Sequence, residues 1–128
     1  MTTERFVAIR RAAERRGRRG EFVATLLLIA KGYRILGRRV RTRAGEIDLV
    51  ARSPRGILCF VEVKTRNSMR AAQEALLPRQ ETRIARAAEL YLAQWRGLRP
   101  NGVRFDTITV SGARWPKHLR DSWRPGAR

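Results

Sequence analysis

Two runs decide the fold: Gly45-Glu46-Ile47-Asp48-Leu49-Val50-Ala51 and Ile57-Leu58-Cys59-Phe60-Val61-Glu62-Val63-Lys64. Between them lies Ser53-Pro54-Arg55-Gly56. Ser suits the first turn position, Pro the second and Gly a left-handed one. The pattern predicts a hairpin with a three-residue loop. Pro54 and Arg55 form a type I turn, and Gly56 is the G1 bulge. That loop sets the register: Ser53 pairs with Ile57, Val50 meets Phe60, Asp48 meets Glu62, and Glu46 meets Lys64. Period two then places Glu46, Asp48, Val50, Phe60, Glu62 and Lys64 on one face. Ile47, Leu49, Cys59, Val61 and Val63 line the other, which reads as an ordinary core surface.

The first face is unusual. Asp48 and Glu62, directly opposite, would have Cβ atoms about 5 Å apart. Two carboxylates so placed repel each other, and in a sheet interior both also lose hydration. A divalent cation removes the conflict, because Mg²⁺ takes hard oxygen ligands, water and a substrate phosphate. Lys64 lies roughly 7 Å further along the same face. An ammonium there can stabilise a phosphorane-like charge or orient an attacking water. The competing reading is a solvated hairpin face on which Lys64 neutralises Glu46 or Glu62. A two-residue loop would put Asp48 and Glu62 on opposite faces, so the turn carries the choice.

Outward from the hairpin, Phe22, Leu26, Ile29 and Tyr33 fall at i, i+4, i+7 and i+11, one helical stripe. Gly32 suits the left-handed end of that helix. Tyr33 to Arg43 reads as a basic edge strand with a bend at Gly37. Pro78 can open a second helix with the stripe Ile84, Ala88, Tyr91 and Trp95, closed by Gly97. Asn101-Gly102 turns the chain into an alternating strand, Val103 to Val110. The order α-β-β-β-α-β predicts one α/β domain over residues 1–128, a mixed central sheet flanked by helices. A basic extension, 1–16, and a basic Trp-containing tail, 113–128, bracket it.

The chain has 128 residues, with 29 basic and 11 acidic side chains and a net charge of +18. Only three of the basic residues are Lys, Lys31, Lys64 and Lys117; the rest are Arg. An apolar share of 43% permits a core and argues against a disordered basic tail. The longest apolar run, Phe22 to Ala30, is half of what a membrane span needs. One cysteine excludes an internal disulfide, and with one histidine it excludes a Cys/His zinc site. Arg15, Arg16, Arg18 and Arg19 precede the apolar run as in a signal peptide. Glu21 opens that run, however, and no small-residue cleavage site follows. The expectation is a cytoplasmic protein, without membrane insertion, that binds a polyanion, nucleic acid first.

The hairpin, from Gly45-Glu46-Ile47-Asp48-Leu49-Val50 to Phe60-Val61-Glu62-Val63-Lys64-Thr65-Arg66, resembles the PD-(D/E)xK nuclease core. It resembles in particular the YraN-like family of small bacterial predicted endonucleases, which are similar to archaeal Holliday-junction resolvases. Gly20-Glu21, Ala24, Leu28 and Gly32-Tyr33 resemble that family's first helix. Arg104-Phe105-Asp106 resembles its last strand, and His118-Leu119 with Trp123 its tail. The resemblance implies a restriction-endonuclease-like core. It implies a metal-dependent endonuclease that hydrolyses DNA phosphodiester bonds; the small size leaves little room for a base-reading module, which favours structure-selective cutting. The alternative is a nucleic-acid-binding protein that keeps the fold without cleavage. A homodimer would suit two-strand cutting.

By the resemblance, Asp48, Glu62 and the Val63 carbonyl hold Mg²⁺ or Mn²⁺, and Lys64 is the catalytic lysine. Glu21 corresponds to an additional carboxylate near the metal, although a helix-start Glu is also favoured by the helix dipole. Glu46 matches a family position and is otherwise a partner for Lys64 or an Arg. Arg39 stands where the family usually has Asn, Met69-Arg70 where it has Phe-Gly, and Gln80 where it has Lys. Arg38, Arg39, Arg41 and Arg43 lead into the site strand and are candidates for phosphate, with Arg66, Arg79, Arg83 and Arg86. His118 suits hydrogen bonding, Asp106 an arginine partner, and Cys59 the core.

Overall fold

A computed structural model describes residues 18–65, 79–95, 97, 99–112 and 114–126. The expectations on Arg15, Arg66, Met69-Arg70 and Pro78 lie outside those residues. The described part of α1 spans 18–30. It is followed by β1 (Arg34–Thr42), β2 (Gly45–Arg52), β3 (Leu58–Thr65), α2 (Arg79–Gln94), β4 (Val103–Val110) and β5 (Lys117–Leu119). The five strands form one sheet in the order β1-β2-β3-β4-β5. The pair β3–β4 is parallel and the other pairs are antiparallel. This is a mixed sheet with a helix on each side. Among the described residues no helix is long and apolar enough to cross a membrane.

The hairpin forms with the expected turn, and with the expected register from Arg52–Leu58 to Leu49–Val61. The Gly56 N–H donates to the Ser53 carbonyl at 2.9 Å, and Ser53 N–H donates to the Ile57 carbonyl at 2.8 Å. Gly56 has φ +84, where an added Cβ would also lie 2.6 Å from Asn101 Nδ2. Val50 pairs with Phe60 and Leu49 with Val61. β1 is an edge strand as expected, and its pairing slips between Ile35 and Gly37, at the expected bend. The tail, unassigned from sequence, supplies β5.

Each sheet face is covered by one helix. Ala24 and Leu28 of α1 pack with Leu49, Ala51, Cys59, Val61, Ile108 and Val110. Ile84, Ala87, Ala88 and Tyr91 of α2 pack with Ile47, Val50, Leu58, Phe60 and Phe105. Phe60 stacks on Phe105 at 5.6 Å and meets Tyr91 edge-on at 5.8 Å, and Trp123 closes over Phe105 at 4.4 Å. Both faces are therefore core, and Val50 and Phe60 belong to the α2 side.

Two expectations need correction. The α1 stripe Phe22, Leu26 and Ile29 is exposed, at 56%, 50% and 53%, and the buried face is Glu21, Ala24, Thr25 and Leu28. The helix is apolar nearly all round, so periodicity alone cannot choose a face. Small residues choose it: a Cβ on Gly20 would lie 2.7 Å from Thr65 Oγ1 and 3.7 Å from Val63 Cγ1. Gly20→Val is expected to cost about 1–3 kcal/mol through overpacking. Adding Thr65→Ala should recover most of that in denaturant unfolding; no recovery would place the helix contact elsewhere.

The second correction is in β2. Ile47 packs on the α2 side and Leu49 on the α1 side, so the strand turns over at Asp48. Arg39 stands across from Asp48, between the pairs Arg38–Leu49 and Val40–Ile47, with φ +50. A left-handed residue within a strand breaks the alternation of its neighbours. Asn tolerates that conformation better than Arg does.

Candidate metal and phosphate site

The described ladder between β2 and β3 ends at Leu49–Val61. Beyond it, Asp48 does not face Glu62 across a regular pair. Its Oδ2 accepts the Val63 N–H at 2.8 Å, at the peptide that joins Glu62 to Val63. The carboxylate thus takes the place of a strand carbonyl. It borders a cavity of about 360 Å³ on the α1 side. Glu21, Glu46, Arg39 and Arg41 line the same cavity, with Arg18, Val63 and Thr65.

Burial pushes the Asp48 carboxyl up to about 6. The Val63 N–H and Arg39 oppose the rise, and the negative charges of Glu21 and Glu46 add to it. Glu21, itself buried, accepts from Arg39 Nε at 2.6 Å and lies 3.6 Å from Arg38 Nε. Arg41 approaches Glu46 at 3.6 Å in an exposed pair of small energetic weight.

The structure brings together Asp48, Glu21, Glu46, Arg39 and the Val63 backbone, and it sets Arg38 at their rim. Glu62 and Lys64 alternate with Phe60 in a regular β3–β4 ladder, while Val63 packs on the α1 side. They therefore leave the sheet on the α2 side. The expected sharing of one face by Asp48, Glu62 and Lys64 is corrected, because β2 turns over at Asp48. Glu62 is buried and has an interaction partner. Arg43 flanks a separate groove between the β1 end and Leu90 of α2. Arg83 and Arg86 are exposed on α2. Arg66 and the Arg79 side chain lie outside the described residues. Arg18 and Thr65 line the cavity without having been marked as site residues. Their signal was their spacing from Glu21 and Val63, three and two residues away.

Residues 20–110 match the model of the uncharacterised protein family UPF0102. The chain belongs to UPF0102. The UPF0102 family is the YraN-like family of the sequence resemblance. A UPF0102 protein of Parvibaculum lavamentivorans is 51% identical over 114 residues, covering 89% of this chain and 85% of its own. One from Maricaulis maris is 49% identical, with 91% of each chain covered. One from Mesorhizobium japonicum is 47% identical over 94% of this chain and 95% of its own. The UPF0102 match covers α1 through β4 and so includes every residue of the cavity except Arg18.

The oxygen donors of the UPF0102 cavity fit a hard divalent cation in kind: carboxylates, with the raised Asp48 as the charge a cation would relieve. Among the described residues no three His, Cys, Asp or Glu side chains converge as a ready ligand set. Arg39 instead supplies the positive charge beside Glu21.

A second polar cluster lies apart from this cavity. Asp106 is fully buried and accepts two bonds from Arg104, both at 2.8 Å. It also accepts from His118 Nε2 at 2.8 Å and from the Asp121 N–H at 3.0 Å. Lys31 Nζ lies 2.6 Å from His118 Nδ1. An ammonium only donates, so Nδ1 accepts and Nε2 carries the proton given to Asp106. The expected roles of Asp106 and His118 as hydrogen-bonding partners hold. Cys59 is buried as expected, and that burial pushes its thiol up to about 11.

Proposed function

We propose that this protein is a metal-dependent endonuclease with a restriction-endonuclease-like core that hydrolyses DNA phosphodiester bonds. The observation that carries the reading is Asp48 at the fork where β2 leaves β3, bonded to the Val63 N–H and sharing a cavity with Glu21. At a fork the sheet has a gap, so side chains from both faces border it. In this reading Glu62 and Lys64, which flank Val63 on β3, would have to reach that gap from the α2 side. Asp48, Glu62, Glu21 and the Val63 carbonyl would hold Mg²⁺ or Mn²⁺. The ion would supply Lewis acidity toward a phosphoryl oxygen and acidify water.

The chain's own groups do the rest. Arg39, displaced from Glu21, is free to fork onto a phosphate. Arg38 and Arg41 hold the backbone on either side without reading sequence. Lys64 would stabilise the charge of a phosphorane-like transition state or orient the attacking water. The partner is DNA, and two chains acting together would serve a substrate with two strands to cut.

The test is cleavage of branched, single-stranded and duplex DNA with Mg²⁺, with Mn²⁺ and with chelator. Asp48→Ala, Glu62→Ala and Lys64→Ala should each lower the rate by roughly 100-fold or more. Equal nicking by wild type and all three variants would mean contamination. Binding without cleavage on any substrate would favour a nucleic-acid-binding protein of the same fold. Binding should also weaken with salt, by about 0.9 log unit per log unit of salt for each duplex phosphate neutralised. A flat salt response would sink the phosphate reading of the arginines.

A further inference from the structure

Beside the cavity around Asp48 lies a second, outer pocket of about 730 Å³. Arg18, Glu21 and Arg39 line both. The outer pocket adds Arg19, Phe22 and Arg38. The charge differs sharply between the two. The inner cavity sets three carboxylates against three arginines. The outer pocket sets four arginines against Glu21 alone. Arg18 and Arg19 have no acidic partner among the described residues. Repulsion between such arginines is relieved by an anion of several charges.

Phe22 stands among them with more than half its surface exposed. Nothing in the α1 packing requires an aromatic ring there, since the buried face is Ala24 and Leu28. An aromatic face ringed by guanidinium groups is the chemistry that binds an unpaired nucleotide: the base stacks and the arginines hold its phosphates. Leu26 and Ile29 continue the exposed stripe but line neither pocket.

We propose that Phe22 is the stacking platform for an unpaired base, held by Arg18, Arg19 and Arg38, next to the phosphate that enters the Asp48 cavity. The substrate class is DNA with a single-stranded segment beside the scissile bond. The position relative to that bond rests on the nuclease reading; the binding of an unpaired nucleotide does not.

The experiment measures binding of a short oligothymidylate and of a blunt duplex to the full chain in chelator, so that no cleavage is involved. Phe22→Ala should weaken the oligothymidylate by about tenfold and the duplex by less than about twofold. Phe22→Trp should restore wild-type affinity, and Leu26→Ala should leave it unchanged. An oligonucleotide carrying 5-iodouracil should crosslink to the peptide containing residue 22. Unchanged oligothymidylate affinity in Phe22→Ala overturns the proposal. So does an equal loss in Leu26→Ala, which would mark the stripe as a surface for a protein partner or a second copy. A crosslink confined to the tail also overturns it. If no DNA is cleaved by the wild type but Phe22→Ala still loses the unpaired strand, the platform stands and the nuclease reading falls. If Asp48→Ala stops cleavage while Phe22→Ala binds normally, the reverse holds.

Discussion

Asp48→Asn is expected to abolish cleavage and, in chelator above pH 6, to make the protein more stable. The Asp48 carboxyl is raised from 3.8 to about 6 on folding, first by burial and then by Glu21 and Glu46. A raised acid binds its proton more tightly when folded. Its stabilising contribution is complete below about pH 4 and is lost as the pH rises through 6. Above that the ionised group works against folding by up to about 3 kcal/mol. An Asn amide oxygen can still accept the Val63 N–H, so the variant keeps the bond and drops the charge. Its thermal midpoint at pH 8 should rise by several degrees, and the downward slope between pH 4 and 7 should flatten. Saturating Mg²⁺ should raise the wild-type midpoint and leave the variant unmoved. A variant less stable than wild type at pH 8 would show that the bond to Val63 outweighs the burial. Equal stabilisation of both by Mg²⁺ would put the ion elsewhere. A group that costs stability and sits in a cleft is the pattern of a site shaped for a ligand.

Asp106→Ala should produce the largest loss of stability, about 3–5 kcal/mol, while leaving cleavage per folded molecule near wild type. Burial alone would raise this carboxyl, but the bonds from His118, Arg104 and the Asp121 N–H hold it down at about 2. Removing it strands the largely buried Arg104 guanidinium and frees the His118 ring. It also loosens the tail, because His118 and Asp121 are anchored on this carboxylate in addition to the β4–β5 pairing. Limited proteolysis should then open the chain after Val110 faster than wild type. A depressed acid contributes stability above about pH 4, and that is lost as the pH falls through 2. Between pH 5 and 8 its contribution is constant. Wild-type stability in Asp106→Ala would mean that the β4–β5 pairing, the Ser122 bonds and Trp123 on Phe105 hold the tail without this carboxylate.

The local elements were legible because their causes are local. Ser53-Pro54-Arg55-Gly56 can make few turns, and a three-residue loop admits only one register. Gly37 marked the bend of an edge strand whose arginines could not be buried. A lone buried aspartate two residues from Arg104 had an obvious partner. These choices depend on backbone sterics and on neighbours within a few residues, which a sequence states outright.

Tertiary contact decided what local rules left balanced. Apart from Thr25, residues 22–30 are apolar on every side, so either face of α1 could have been buried. The close approach of Gly20 to Thr65 and Val63 turned Ala24 and Leu28 inward and left Phe22 among arginines. The company kept by Asp48 was decided the same way. A count of alternate residues placed it with Glu62 and Lys64. That count assumes an unbroken pleat, and the left-handed Arg39 across the strand breaks it. The carboxylate turned to the Val63 amide and to Glu21, a residue on another element. Alternation is a property of one strand, whereas the neighbours of a side chain at a fork belong to three elements, and only their packing brings them together.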